Sequence, residues 1–369
     1  MVDKMRKFYL TDFPLNQLRI RIKDKFRIDF FETFKSEIEN SPELLKVVGC
    51  NRANISDWKC GTLSMPLETI VKISNTLENC GHKELCVENL KKHLIYIKSK
   101  HGQDRYAILN PKIPLVEDWR LVRLVAHLIG DGYGGYYDME KNCIKRTNYC
   151  NTNRQVLDKF IECLSAFGDV KFYSWHDKEL FLPSSIIYIL NHIYNIDFHS
   201  DKANVPTYFF NLDKNLLFHF LAAFVDDEGA LRENDCRIML ANERLTRELN
   251  SLFCQVGFEV SEVKSSYEKY WYFTIRDIEK IKKLPIAHTE KLDLIKFSLG
   301  RSKEWKQKGI TKNKILKFLS SRSYNAYELS RLLGISSQTV RRHMRQLLKN
   351  NKVNYTSIKG IKHWSIKEV

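Results

Sequence analysis

The feature that most constrains this chain is an internal repeat. Leu124-Val125-Ala126-His127-Leu128-Ile129-Gly130-Asp131-Gly132 is an apolar, helix-like stretch that ends in an acid and a glycine. Leu221-Ala222-Ala223-Phe224-Val225-Asp226-Asp227-Glu228-Gly229 repeats that layout, with Glu228 lying 97 residues after Asp131. The sequence downstream of each stretch repeats as well. Asn153-Arg154-Gln155-Val156 opens a helix that stops at Gly168, and Asn242-Glu243-Arg244-Leu245 opens one that stops at Gly257, with the same 15-residue spacing. Apolar positions coincide: Val156 with Leu245, Phe160 with Leu249, Leu164 with Phe253, and Phe167 with Val256. Strand-like sequence precedes each helix (142–149 and 236–241). Two further runs come after each one, 170–175 with 180–182 and 260–267 with 270–275. The order is helix, two strands, helix, two strands, helix, occurring twice. That predicts an α+β fold with a pseudo-twofold, duplicated αββαββα domain.

The acids at the two helix ends need explaining. A helix C-terminus carries partial negative charge, so an unpaired carboxylate there is unfavourable, and two such ends brought together call for a cation. Small residues at Ala126, Gly130, Ala222 and Ala223 would let the two helices approach closely. Oxygen ligands with incomplete protein coordination beside phosphate are what Mg²⁺ prefers.

Both nonapeptides match the LAGLIDADG motif, and the order of elements is that family's. The run Val205-Pro206-Thr207-Tyr208-Phe209-Phe210, with Asp213-Lys214 before the second motif, resembles the single-chain, intein-associated (dodecapeptide) branch of LAGLIDADG homing endonucleases. So does the closing segment around His288 and Lys291. Ile129 stands where the motif has its first acid. The resemblance implies that Asp131 and Glu228 hold divalent metal, Mg²⁺ or Mn²⁺, shared with the scissile phosphates of double-stranded DNA. It also implies a catalytic basic residue, for which Lys264 is the candidate. A saddle of antiparallel sheets would track the major groove, with Lys145, Arg146, Asn148, Arg232, Arg237 and Lys264 as its contacts. The protein would then be a monomer with an internal pseudo-dimer.

Charge points elsewhere. The formal net charge is +16, of which residues 1–110 carry +5, residues 111–300 carry −3 and residues 301–369 carry +14. So concentrated a positive charge is a footprint for a polyanion. Within that segment Lys314–Leu319 is amphipathic. Asn325 caps a helix over Ala326–Leu333 that stops at Gly334, and Ser336 or Ser337 caps a third helix. Val340, Met344, Leu347 and Leu348 form the buried stripe of this third helix, leaving Gln338, Arg341, Arg342 and Arg345 outside it to reach base edges and phosphates. Lys352–Tyr355 and Lys362–Ile366, turning at Lys359-Gly360, read as a hairpin. Over about sixty residues the segment resembles the winged helix-turn-helix family. Near the start, Pro42–Gly49, Ala53–Lys59 and Leu67–Ile73 are similar to the phage-repressor type of helix-turn-helix, with Arg52, Asn54 and Lys59 as its DNA contacts.

The expected organisation is a helical domain with a repressor-like helix-turn-helix (1–105), a duplicated LAGLIDADG domain (111–300) and a winged helix-turn-helix (305–369). The expected function is a site-specific, homing-type double-stranded DNA endonuclease. The alternative is a non-catalytic DNA-binding transcription regulator of LAGLIDADG plus helix-turn-helix architecture. Neither Met1 nor Lys367-Glu368-Val369 offers intein splicing chemistry, so excision is not expected. No apolar run approaches the roughly 18 residues that cross a bilayer, which speaks against a membrane partner. Nine Cys without a C-x-x-C pair suit a reducing cytoplasm. His127 is expected to be a satisfied core residue. Gly130–Gly135 comes after a helix rather than a strand and so is no nucleotide fingerprint. Tyr270, Trp271, Tyr272 and Phe273 are expected to be sheet core.

Overall fold

The computed structural model describes residues 5–140, 143–232, 235–266, 269–276, 278–301, 310–333, 335, 337–358 and 361–367. The chain falls into two compact units. One comprises residues up to Ala230 with 236–276 and 284–289; the other comprises 231–235, 277–283 and 290 onward.

The first hundred residues were expected to be helical, and the structure corrects this. In β1 (Leu18–Ile22) Leu18, Ile20 and Ile22 are buried while Arg19 and Arg21 are half-buried. Period-2 alternation of this kind extends the backbone and buries one face. After β1 come α1 (Asp24–Asn40), α2 (Leu44–Val48), α3 (Arg52–Cys60), β2 (Met65–Pro66), α4 (Leu67–Asn79), β3 (Leu94–Ser99) and β4 (Ile108–Leu109). Phe30, Phe31 and Phe34 of α1 are fully buried, and Trp58 of α3 lies beside Phe31. The strand Asp169–Val170 pairs with β4, completing a five-stranded sheet in the order 169–170, β4, β3, β1, β2. This sheet runs across the position where the first two domains were expected to part.

The repeated segment starts with α5 (Trp119–Gly130), β5 (Gly132–Tyr133), β6 (Asn148–Cys150), α6 (Arg154–Leu164), β7 (Tyr173–Trp175) and β8 (Glu179–Phe181). It continues, after a helix at Ser184–Tyr194, with α7 (Lys214–Glu228), β9 (Gly229–Leu231), β10 (Cys236–Leu240), α8 (Glu243–Gln255), β11 (Lys264–Ser266) and β12 (Tyr270–Ile275). The two four-stranded sheets have the same internal order, first, second, fourth, third: β5-β6-β8-β7 and β9-β10-β12-β11. Helices α6 and α8 start in the same way. Asn153 Oδ1 accepts from Val156 N at 3.1 Å, and Asn242 Oδ1 accepts from Leu245 N at 3.0 Å. The matched positions Val156, Phe160 and Leu164, and Leu245, Leu249 and Phe253, are all buried. The halves differ in detail. The first inserts a hairpin pairing Tyr136–Asp138 with Cys143–Lys145. In the second, the strand expected from Val260 forms only at Lys264, Val260 making an isolated bridge to Ile275.

In the smaller unit α9 (Ile310–Leu319), β13 (Tyr324–Asn325), α10 (Ala326–Leu333), α11 (Ser337–Lys349), β14 (Val353–Ile358) and β15 (Ile361–Ile366) enclose a core of Ile315, Leu329, Val340, Met344, Leu347, Val353 and Trp364. The hairpin gains a third strand missed in the sequence, giving the order β13-β15-β14. Asn325 caps α10 as expected, its Oδ1 accepting from Tyr327 N and Glu328 N while Glu328 Oε2 accepts from Asn325 N. The expected stop at Gly334, the cap at Ser336 and the turn at Lys359-Gly360 lie outside the described residues. The architecture as a whole is mixed helix and sheet, of the α+β kind. Among the described residues no helix is long and apolar enough to cross a membrane.

Candidate functional site

The C-terminal turns of α5 and α7 meet inside the larger unit. Ala126, Ala222 and Ala223 are completely buried. At Gly130 a Cβ would come 3.2 Å from Asp227 Oδ2, so the missing side chain is the space that Asp227 occupies. Each helix then makes the same abrupt exit. A Cβ on Gly132 would meet Leu128 O at 2.4 Å, and one on Gly229 would meet Val225 O at 2.4 Å. Glycine is required after both acids because the chain folds back onto the carbonyl four residues earlier. Asp131 is the C-cap of α5, Glu228 is the last residue of α7, and both are half-buried.

Behind these ends lies a polar network that sequence reasoning missed. The Arg123 and Asp226 side chains are essentially unexposed and form an ion pair. Arg123 Nη1 also donates to Pro285 O at 2.5 Å. Asp226 accepts in addition from Ala287 N (3.0 Å) and His288 N (2.9 Å), so its charge is matched by a guanidinium and two amides. Arg123 Nε donates to His127 Nε2 at 3.2 Å. A guanidinium can only donate, so the His127 proton sits on Nδ1, which faces Asp227 Oδ2 at 2.9 Å. Burial, followed by the charge of Arg123, lowers the His127 pKa to about 3, which keeps the ring neutral. Tyr149 OH donates to Asp227 Oδ1 at 2.7 Å, its pKa held well above 10 by burial and by Asp227. Asn151 Nδ2 reaches both Asp131 Oδ2 (2.9 Å) and Asp227 Oδ1 (3.3 Å), tying the two carboxylates to one amide. His127 is therefore the satisfied core residue expected, and it has a specific partner. A signal was present in the sequence: Arg123 and His127 lie i, i+4 on a helix whose other inward positions are apolar, as Asp226 does in its own helix.

Carboxylate oxygens are the ligand type that a hard divalent cation takes. Asp131 and Glu228 offer carboxylates at two helix ends that meet, and Asn151 orients one of them. Among the described residues no three His, Cys, Asp or Glu side chains are grouped to hold a metal unaided. An ion here would therefore complete its shell from water and phosphate, as Mg²⁺ commonly does.

The other expected contacts are scattered. Lys264 is exposed at the start of the edge strand β11. Arg237, half-buried in β10, places its guanidinium 4.3 Å from the centre of the Tyr272 ring. Arg146 is exposed with a left-handed backbone (φ 57°), and Arg232 is exposed. Asn148 Nδ2 bonds Glu179 Oε1. The side chain of Lys145 lies outside the described residues. Tyr270, Trp271 and Tyr272 are not sheet core: Tyr270 is 48% exposed and the other two are half-buried, leaving only Phe273 of the four inside. Near the start, Arg52 is exposed, Asn54 N donates to the capping Asn51 Oδ1 at 2.8 Å, and the Lys59 ammonium is paired with Glu32.

In the smaller unit Val340, Met344 and Leu347 of α11 face the core, and Gln338, Arg341, Arg342 and Arg345 are all exposed. Residues 310–355 match the family model described as bacterial regulatory protein, arsR family. The chain thus carries a helix-turn-helix DNA-binding domain there. No curated protein matches the chain.

Proposed function

We propose that this DNA-binding chain is a homing-type endonuclease whose larger unit is a duplicated LAGLIDADG domain, hydrolysing phosphodiester bonds of double-stranded DNA. The observation that carries this reading is the meeting of two acid–glycine helix ends in two halves of identical sheet order. Asp131 and Glu228 would hold Mg²⁺, which when bound supplies charge for the developing phosphorane and a more acidic water. The protein's own part is positional. Asn151 fixes the Asp131 carboxylate, while Asp227, satisfied by His127 and Tyr149, braces the same amide from behind. Lys264, Arg146, Arg232 and Arg237 provide cations for the backbone of the bound duplex, and α11 provides the groove-reading face.

The test incubates the full chain with Mg²⁺ and DNA from its own locus, beside Asp131→Asn and Glu228→Gln. Metal-dependent cutting that both substitutions abolish is the expected result. Tight binding without cutting by the unmodified protein would replace this reading with that of a regulator. Replacing Arg341, Arg342 and Arg345 by alanine should leave folding intact and flatten the salt dependence of DNA affinity by roughly 2–3 units of logarithmic slope. An unchanged slope would mean that α11 does not touch phosphate.

A further inference from the structure

A cavity of about 450 Å³ lies in the larger unit, between the end of β3 with its following loop and the first four-stranded sheet. Its lining includes His101, Arg105 and Arg146, together with the rings of Tyr106, Tyr136 and Phe181, and among the described residues no acidic side chain. Among the described residues neither arginine is paired with a carboxylate. Asp104, adjacent to Arg105 in sequence, is committed elsewhere, to Lys98 Nζ at 2.5 Å and Tyr96 OH at 3.2 Å. His101 is held below its ordinary pKa by burial and by Lys100 and Arg19, a sign of positive potential at this rim. Arg146 is one of few non-glycine residues with a left-handed backbone, a conformation that disfavours side chains and often accompanies a functional position.

Guanidinium groups without a carboxylate partner, one of them (Arg105) lying 4.9 Å over the Tyr106 ring, beside further aromatic faces select an anion that also carries a flat ring. We propose that this cavity binds a single nucleoside phosphate, with the phosphate on Arg105 and Arg146 and the base against Tyr106, Tyr136 and Phe181. Its size falls within the range of small-ligand pockets. Arginine gives charge-assisted, bidentate contacts to phosphate, and aromatic rings accept any base. The ligand is either a free nucleotide or one unit of a DNA strand. The site lies apart from Asp131 and Glu228 in its residues and does not depend on cleavage.

The test uses the full chain without added metal, in a background where Arg341, Arg342 and Arg345 are alanine so that α11 does not mask the signal. Deoxyadenosine monophosphate, inorganic phosphate and a twelve-nucleotide single strand are each titrated by calorimetry. Arg105→Ala with Arg146→Ala, and separately Tyr136→Leu, change exposed side chains and should leave the thermal midpoint unchanged. Mononucleotide binding that exceeds phosphate binding and falls about tenfold in both variants identifies a free nucleotide as ligand. Strand binding that falls by the same factor, with no mononucleotide binding, identifies a unit of DNA. Affinities that stay put in both variants, or phosphate bound as well as nucleotide, overturn the proposal.

Discussion

The ends of α5 and α7 occupy equivalent places in two halves of one layout, yet they are not built alike. The α5 end contributes Gly130 and Asp131 and leaves an empty space; the α7 end contributes Asp226, Asp227 and Glu228 and fills it. The side chains that partner the two extra buried carboxylates, Arg123, His127, Tyr149 and Asn151, come from the first half, while the amides of Ala287 and His288 add to Asp226 from beyond the second. The sheet order is thus the same on both sides while the charge is not: one side carries the extra acids, the other the side chains that meet them. The acids beside Asp131 and Glu228 are held by buried partners of their own.

The sharpest way to break this contrast is Arg123→Met, which removes the guanidinium from the buried Asp226 carboxylate. It should lower stability by about 3–5 kcal/mol in denaturant unfolding, whereas Arg123→Met combined with Asp226→Leu should recover much of the loss. A loss below about 1 kcal/mol for the single change would show that Asp226 is not relying on Arg123. Gly132→Ala and Gly229→Ala probe what the ends share. Each drives a methyl into a backbone carbonyl, and each should cost on the order of 1–3 kcal/mol by thermal unfolding. Unequal costs would mean that the two exits are not equivalent. The His127 ring sharpens the difference through pH. Its folded pKa, about 3, lies below the ordinary 6.5, so the unfolded chain binds a proton that the folded chain refuses. This contribution is complete above pH 6.5 and is lost as pH falls toward 3, with a slope approaching roughly 1.4 kcal/mol per pH unit. His127→Gln should flatten that part of the stability profile, and an unaltered profile would contradict a neutral buried ring. Smallest is Asn151→Ala, expected to cost about 1 kcal/mol and to loosen Asp131, which crystallographic displacement of that side chain would report.

Much of this was readable from the residues. Amphipathic spacing gave the core face of α11, with Val340, Met344 and Leu347 inside and the arginines outside, because one helical stripe packed on one core obeys local periodicity. The acid–glycine exits and the matched Asn caps were legible for the same reason, since their cause lies within one turn of chain. The strand at Leu18–Ile22 was missed although its alternation is plain; the helix-turn-helix spacing beside it is a longer pattern and eclipsed a five-residue signal. The network around Asp227 was invisible for a physical reason. His127, Tyr149 and Asn151 meet it across 76 to 100 residues of sequence, and such pairing is set by tertiary packing that no local pattern encodes. The aromatic run at Tyr270–Phe273 misled because a strand packed on one side only keeps its outward rings in water.

At Gly130 a hydrogen atom on one side of the seam makes room for a carboxylate on the other, so the two helix ends fit as lock and key rather than as twins. Copying the first half onto the second would leave a hole where the carboxylate had been, and copying the second onto the first would set two like charges in collision.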